Sequence, residues 1–154
     1  MRIIKYNTEI DSDKKTILVK ESSKNYPEIE SLSTPSKIAD MFNYVFRARY
    51  QSEEVVWILA LNTKCSSIGV FEVSRGYVNC SLLRPREVFM KLLLCGAVNF
   101  VLVHTHPSGE TTPSRDDIKI TKSIKEIGNM MGIVLLDHII IGDTYWSFAE
   151  KKMI

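Results

Sequence analysis

The sequence has 154 residues, of which 45% are hydrophobic and 25% are charged. This length and balance are typical of one globular domain with a substantial core and argue against two domains. The net charge of +2 is too small to indicate the concentrated basic patch that nucleic-acid binding requires, so the composition does not support DNA as a partner.

The amino-terminal segment mixes charges into every short window and contains no apolar run long enough for a signal peptide or a membrane span. We therefore expect a cytoplasmic protein without a membrane partner. Its three cysteines, Cys65, Cys80 and Cys95, are odd in number and lack CxxC spacing. Reduced thiols are expected rather than a disulfide framework or a cysteine zinc site.

The first third of the chain predicts one short strand and one helix. The β-like run Thr16–Val19 lies between polar, lysine-rich stretches. Thr34 is an N-cap residue followed by Pro35 at the first helical position. Apolar residues then recur at helical spacing and predict a helix that ends near Arg49.

Three apolar runs follow this helix and predict strands. Residues Val55–Leu61 are continuously apolar and include β-branched and aromatic side chains, as in a central strand covered on both faces. Runs at Ile68–Val73 and around Tyr77–Leu83 are separated by Ser74-Arg75-Gly76, which predicts a meander with a tight turn.

The carboxyl-terminal half alternates helices and strands. Pro85 begins a predicted helix that turns five side chains toward the core: Val88, Phe89, Leu92, Leu93 and Cys95. After a short strand at Phe100–Val103, Ser114 begins a helix that ends at Gly132. Its predicted apolar stripe contains Ile118, Ile120, Ile124, Ile127 and Met131. Two further strands are predicted, at Ile133–Ile141 and Tyr145–Phe148. This order predicts an α/β fold with helices on both sides of a sheet.

Two histidines stand two residues apart at the end of a predicted strand. In an extended chain His104 and His106 project from the same side, so both imidazoles are able to converge on one ion. Asp117 falls in the first turn of the next helix, from which its carboxylate reaches back over the strand end. Three protein ligands leave one tetrahedral position for water, as in catalytic rather than structural zinc sites. The sequence therefore predicts a Zn²⁺ site on these three residues.

Zinc-activated water requires a nearby carboxylate to move its proton. Glu54 directly precedes the apolar strand Val55–Leu61 and is the preferred general acid/base. Glu53 is its rival, but in an extended chain the Glu53 side chain points the other way. The choice of Glu54 requires the start of this strand to lie beside the end of the Phe100–Val103 strand, as in antiparallel neighbours.

A simpler interpretation of two of these residues needs no metal. Ser114 and Asp117 also resemble an ordinary helix start, in which the serine caps the helix and the acid favours its positive end, a stabilisation of roughly 1 kcal/mol. Their combination with two histidines on one strand end, and with a turn held by Pro107, Gly109 and Pro113, favours the metal site.

The spacing of these residues resembles that of a known family. His104-Thr105-His106-Pro107, followed after six residues by Ser114-Arg115-Asp116-Asp117, matches the HxHP-x6-SxxD pattern of the JAMM/MPN metalloproteases. The longer string HTHPSGETTPSRDD resembles the RadC branch, as do PREVF at 85–89 and LDHIIIG at 136–142. The resemblance covers residues 34 to 150.

This resemblance implies specific roles for five residues. Zinc would bind His104, His106 and Asp117, which are the ligands that the strand and helix pattern also predicts. Glu54 would be the general acid/base, and Ser114 would hydrogen-bond the developing oxyanion. Members of known chemistry cleave peptide or isopeptide bonds, so a hydrolase acting on a peptide or an isopeptide-linked protein is expected.

The resemblance also implies a fold and a domain division. Residues 34–154 are expected to form a JAB/MPN domain, a curved, mixed β-sheet flanked by helices that resembles the cytidine-deaminase-like fold. Residues 1–33 are expected to form a strand-containing extension. RadC proteins carry an association with DNA repair, but these first residues contain no Gly-containing helical hairpin like the helix-hairpin-helix region of longer members. A direct DNA role is therefore expected to be weaker here.

Two other functions are compatible with the same residues. One is a non-catalytic interaction or DNA-processing accessory domain that a metal stabilises. The other is an Fe(II) oxygenase with two histidines and one carboxylate, ranked below zinc because both histidines lie on one strand end. His138, in a β-branched strand, is expected to be a packed residue rather than a fourth ligand, since a catalytic zinc site keeps that position open.

Overall fold

The computed structural model of the protein describes residues 1–27, 31–76 and 83–154. Within these ranges, seven strands form one sheet that three helices flank. The strands are β1 (Arg2–Ile10), β2 (Thr16–Asn25), β3 (Val55–Leu61), β4 (Ser67–Arg75), β5 (Asn99–Thr105), β6 (Val134–Ile141) and β7 (Tyr145–Ser147). The helices are α1 (Pro35–Phe46), α2 (Pro85–Leu94) and α3 (Arg115–Met131).

The sheet is mixed, as predicted. Its strand order is β2-β1-β4-β3-β5-β6-β7, with β1/β4 and β5/β6 parallel and the other neighbours antiparallel. The parallel strands β5 and β6 are joined by α3, because parallel neighbours need a crossover connection. Strands β3 and β5 are antiparallel neighbours, with Val56 opposite His104. The start of β3 therefore lies beside the end of β5, as the choice of Glu54 requires.

Two hydrophobic cores cover the opposite faces of the sheet. Helix α1 packs on one face, where Met41 and Phe42 are fully buried. Helices α2 and α3 cover the other face through side chains such as Leu92 and Ile124. Every residue of β3 is buried, because alternate side chains enter the two cores. This double covering explains the continuous apolar run in its sequence.

Helix α1 begins as predicted but ends earlier. Thr34 Oγ accepts a hydrogen bond from the amide of Lys37 at 3.3 Å, which confirms the N-cap. The helix stops at Phe46 because Arg47 adopts the left-handed backbone conformation, with φ of 53°. A 3-10 turn at Ala48–Tyr50 follows, so the predicted end near Arg49 is wrong by one short turn.

Some side chains predicted to face the core lie at the surface. Leu93 is 57% exposed and Met131 is 41% exposed. The buried residues of α3 are Asp117, Thr121, Ile124 and Gly128. Ile120, Ile124 and Ile127 of the predicted stripe do pack against the core. The prediction missed the polar part of this face, because α3 also turns a carboxylate and a hydroxyl toward β5 and β6, where hydrogen-bond partners lie.

The amino-terminal region contains more regular structure than predicted. Thr16–Val19 belongs to β2, which forms a hairpin with β1. Strand β1 pairs with β4 in the same sheet. The division of the chain at residue 34 stays a prediction.

Two further predictions concern the segment between β4 and α2. The strand around Tyr77–Leu83 falls on residues 77–82, outside the described residues, apart from Leu83. Ser74 and Arg75, predicted to lie in a turn, belong instead to β4, where Ser74 pairs with Val56.

Two of the three cysteines lie in the described residues. Cys65 is exposed and Cys95 is half-buried, and both are free thiols. Cys80 lies outside the described residues. In the described ranges, none of the helices is long and apolar enough to span a membrane.

Candidate metal centre

Backbone pairing brings the two histidines to one end of the sheet. His104 lies in β5, opposite Val56 of β3 and Ile140 of β6. The amide of His106 donates to the carbonyl oxygen of Ile141 at 2.9 Å, which continues the pairing beyond the end of β5. Both imidazoles project to the same side, because side chains alternate along an extended chain. Their ring centroids are 4.6 Å apart.

A capping box holds Asp117 at the start of α3. Ser114 Oγ accepts a hydrogen bond from the Asp117 amide at 3.1 Å, and the Ser114 amide donates to Asp117 Oδ2 at 2.7 Å. The ordinary helix start considered as the simpler interpretation is therefore present. It does not exclude a metal site, because a carboxylate has about four lone-pair positions and this bond uses one of them.

The Asp117 carboxylate faces both histidines. Asp117 Oδ1 lies 3.5 Å from His104 Nε2, and Asp117 Oδ2 lies 3.6 Å from His106 Nε2. The potential ligand atoms of the three residues all lie within 4.8 Å of one another. Bonds of about 2.1 Å in a zinc tetrahedron place neighbouring ligand atoms roughly 3.4 Å apart. The donor set and its spacing thus fit a divalent ion such as zinc.

The clearest sign of this fit is His104 Nε2. The His104 side chain is 2% exposed, and its Nε2 has no hydrogen-bond partner among the described residues. Leaving a buried polar atom without a partner costs about 1–3 kcal/mol. In His106, Nδ1 lies 2.7 Å from the Glu110 carbonyl oxygen, which only accepts, so Nδ1 carries a proton. The neutral His106 ring therefore presents an unprotonated Nε2 to Asp117.

Burial and mutual contacts shift the pKa of each member of this cluster. Burial holds the pKa of His104 well below its ordinary value, although Asp117 opposes this shift. Burial alone would raise the pKa of Asp117, but the close approach of His106 and His104 holds it well below its ordinary value. Burial likewise acts against His106, whose pKa is nevertheless raised, chiefly by Asp117. An ionised carboxylate and a neutral His104 are the protonation states that a metal ion requires.

Glu54 and Ser114 border the same cleft as these residues. The cleft has a volume of about 440 Å³ and is lined by Glu54, His106, Ser108, Glu110, Thr112, Ser114, Asp116 and Asp117. Glu54 lies two residues before Val56, which is opposite His104, so its side chain projects to the histidine side of the sheet. Its negative charge contributes to the raised pKa of His106. Glu53 is not among the described residues that line this cleft.

Three further polar residues hold the cluster in place. His138 Nε2 lies 2.9 Å from His104 Nδ1, so His138 packs behind a histidine of the cluster, as expected. The Thr121 hydroxyl contacts both His138 Nδ1 and the Asp117 carbonyl oxygen. The sequence analysis did not single out Thr121. Its position four residues after Asp117, and so on the same helix face, could have indicated that it lies near the cluster. Thr105 Oγ accepts a hydrogen bond from the Val55 amide at 3.0 Å and ties the end of β5 to the start of β3.

A mixed sheet flanked by helices, with a His-His-Asp cluster at the end of a central strand, is consistent with the JAB/MPN class of domains. The family model described as "RadC-like JAB domain" matches residues 32–153. The chain therefore belongs to the RadC-like JAB domain family, which confirms the resemblance seen in the sequence.

Similar curated proteins carry the name UPF0758 protein. The chain is 43% identical to one from Clostridium perfringens over 124 residues, which cover 80% of this chain and 54% of that protein. It is 37% identical to one from Geotalea uraniireducens over 132 residues, or 85% of this chain and 57% of that protein. A relative from Alkaliphilus metalliredigens is 46% identical over 106 residues, or 68% and 46% of the two chains. The chain thus spans about half the length of the curated relatives it matches.

Proposed function

We propose that this domain is a zinc-dependent hydrolase that cleaves a peptide or isopeptide bond in a protein substrate. The observation that carries the proposal is the convergence of His104, His106 and Asp117, with their ligand atoms within 4.8 Å of one another and the buried His104 Nε2 lacking a partner among the described residues. Membership of a class that includes the JAMM metalloproteases supports the same chemistry.

His104, His106 and Asp117 would hold the ion. Three protein ligands are the number found in catalytic zinc sites, whereas structural sites use four. When bound in such a site, zinc acts as a Lewis acid and lowers the pKa of a coordinated water to about 7. The 440 Å³ cleft beside His106 and Asp117 gives a substrate access to this position.

Glu54 is proposed as the general acid/base. It borders the cleft and lies close enough to His106 to raise the pKa of that imidazole. A carboxylate in this position accepts a proton from the attacking water and then donates it to the leaving amine. Such proton transfer typically contributes 10² to 10⁴-fold to the rate, about 3–5 kcal/mol.

Ser114 is proposed to stabilise the oxyanion of the tetrahedral intermediate. Its Oγ accepts the hydrogen bond from the Asp117 amide, and a hydroxyl that accepts still has its own proton to donate. The capping box fixes Ser114 at the edge of the cleft, so a donor is in place before charge develops. Preorganised donors of this kind contribute about 3–4 kcal/mol to transition-state stabilisation.

The variant Glu54→Gln tests the proposal, because it removes the proton acceptor and preserves the shape of the side chain. Zinc content and turnover of a panel of peptide and isopeptide substrates are measured for this variant, with Glu53→Gln as the matched control. We expect Glu54→Gln to bind one zinc ion and to lose at least 100-fold in kcat, and Glu53→Gln to retain activity. Full activity of Glu54→Gln would reject the assigned base.

The same measurements separate the other functions from this one. Metal analysis of protein purified without chelators is expected to find zinc, and a predominance of iron with oxygen-dependent chemistry would contradict the hydrolase proposal. A silent substrate panel, together with a zinc-dependent increase in Tm, would instead support a non-catalytic, metal-stabilised domain. A DNA-processing accessory role would require DNA binding with a steep dependence on salt concentration.

A further inference from the structure

A buried chain of hydrogen bonds connects two of the proposed zinc ligands behind the site. It runs from His104 Nδ1 to His138 Nε2 at 2.9 Å, from His138 Nδ1 to Thr121 Oγ at 2.7 Å, and from Thr121 Oγ to the Asp117 carbonyl oxygen at 2.5 Å. All four residues are buried. The chain joins β5, β6 and α3, and it ends on the backbone of the residue whose carboxylate faces His104.

The carbonyl oxygen at the end of this chain sets the direction of every proton in it. A carbonyl only accepts, so Thr121 donates its single hydroxyl proton to Asp117. Thr121 Oγ then accepts from His138, which places a proton on His138 Nδ1. A neutral His138 has one ring proton, so its Nε2 accepts from His104 Nδ1. His104 Nε2 is therefore unprotonated, and this is the atom that faces Asp117.

The alternative proton arrangements bury an unpaired N–H donor or a positive charge. A proton on His104 Nε2 would create a buried N–H group with no hydrogen-bond partner in the described part of the chain, 3.5 Å from the nearest Asp117 oxygen. A doubly protonated His138 would place a positive charge on a residue that is only 2% exposed. In the favoured arrangement His104 Nε2 also has no partner among the described residues, but it is an acceptor that a metal ion would satisfy. A proton on His104 Nε2 would reverse every hydrogen bond of the series and leave Thr121 Oγ and the Asp117 carbonyl oxygen 2.5 Å apart with no proton between them.

The position of the His138 ring is fixed by its own surroundings. The ring stacks on Phe148, with centroids 4.9 Å apart and planes inclined by 11°. The His138 amide donates to Asp137 Oδ1 at 2.7 Å, and Ser147 donates to the other oxygen of that carboxylate at 2.5 Å. These contacts hold β6 against β7, so the acceptor for His104 Nδ1 is in place without any adjustment at the cleft.

We propose that His138 and Thr121 are positioning residues that hold His104 in the Nδ1–H tautomer. Its Nε2 lone pair then faces the metal site already in the metal-free protein. This inference rests on the proposed zinc site for its consequence, since the tautomer of His104 affects zinc binding only if His104 is a ligand. The tautomer itself is a property of the metal-free protein. A histidine whose Nδ1 proton is held by an acceptor is also a better ligand through Nε2.

Nitrogen NMR of the metal-free protein shows directly which ring nitrogen of each histidine carries a proton. The chain has three histidines, so selective ¹⁵N-histidine labelling and a long-range ¹H–¹⁵N correlation resolve each ring. At neutral pH we expect protonated Nδ1 and unprotonated Nε2 in both His104 and His138. A proton on His104 Nε2, or a doubly protonated His138, would overturn the proposal.

A matched pair of variants at Thr121 tests the consequence for the ion. Thr121→Ser keeps the hydroxyl, whereas Thr121→Val has nearly the same shape without it. We expect zinc affinity, measured by competition with a chelator, to fall about 10 to 100-fold in Thr121→Val and to stay near that of the unaltered protein in Thr121→Ser. The same NMR experiment should show a mixture of His104 tautomers in Thr121→Val only.

A conservative change elsewhere in the core controls for loss of packing. Ile124→Val removes one methylene from a fully buried position on the same helix, and we expect it to lower stability without changing zinc affinity. Equal zinc affinity in Thr121→Val and Thr121→Ser would overturn the role of the chain. If the unaltered protein bound no zinc, the proposed function would fail. The tautomer of His104 in the metal-free protein would still test the positioning role of His138 and Thr121.

Discussion

Replacement of Asp117 separates its role at the start of α3 from its proposed role as a zinc ligand. Asp117→Ala removes the oxygen that accepts from the Ser114 amide at 2.7 Å, whereas Asp117→Asn retains an oxygen able to accept this bond. Loss of a capping interaction costs about 1 kcal/mol. For a chain of 154 residues this corresponds to a decrease in Tm of roughly 2–4 °C for Asp117→Ala in the metal-free state, and less for Asp117→Asn.

Zinc binding is expected to produce a second and larger difference in Tm between the unaltered protein and the Asp117 variants. An ion that binds only the folded state stabilises it by about 2.7 kcal/mol when its free concentration is 100 times Kd. The corresponding increase in Tm is roughly 5–10 °C. Both Asp117 variants are expected to lose this increase, because they lose the charged ligand that faces His104 and His106. Asp116→Asn is the control, since its half-exposed carboxylate is outside the ligand cluster and the increase should persist.

Scanning calorimetry in excess EDTA and in excess zinc measures both effects on the same samples. In EDTA, the order of Tm should be unaltered protein, then Asp117→Asn, then Asp117→Ala. In zinc, the unaltered protein and Asp116→Asn should rise, and the two Asp117 variants should not. A zinc-dependent increase in Asp117→Asn equal to that of the unaltered protein would refute the assignment of Asp117 as a ligand.

Two further predictions concern pH and the loop beside His106. Burial lowers the pKa of His138 from 6.5 to about 4, so the neutral ring contributes stability above pH 6.5 that is lost as the pH falls toward 4. Urea unfolding in EDTA should therefore show the stability difference between the unaltered protein and His138→Gln shrinking across this window, and a pH-independent difference would count against it. Gly142 packs against the backbone of Gly109, and an added Cβ would overlap the Gly109 carbonyl oxygen, which no side-chain rotation can relieve. Gly142→Ala should lower the free energy of unfolding by more than about 1 kcal/mol, whereas Gly96→Ala, with φ of +68° and open space, should cost only the backbone strain. Equal losses in the two alanine variants would contradict the steric argument.

Local sequence patterns predicted much of the site because its parts are encoded over short distances. The two-residue period of an extended chain places His104 and His106 on one side, and the structure shows them facing Asp117 together. The three-residue spacing between Ser114 and Asp117 is a helix-start pattern, and the capping box is present. In both cases the geometry depends on neighbours a few residues away, so periodicity and capping preferences are sufficient.

The contacts behind the site could not be predicted in this way. His138, Thr121 and His104 come from three different elements, and their hydrogen bonds exist only because β6 lies parallel to β5 with α3 across both. Asp117 and Thr121 were missing from the predicted inward face of α3 for the same reason. Hydrophobicity alone does not show that a helix turns a threonine and an aspartate inward when polar partners lie beneath it.

The sequence by itself determined the ligand types, their spacing along the chain, the buried central strand and the family to which the chain belongs. Only the tertiary structure decided the sheet order, the hairpin of β1 and β2 beside β4, the position of Glu54 at the cleft and the hydrogen-bonded chain behind His104. The physical reason is the sequence separation over which each effect acts. Backbone periodicity and capping act between residues close in sequence, whereas strand order and buried polar contacts arise only when all the elements pack together.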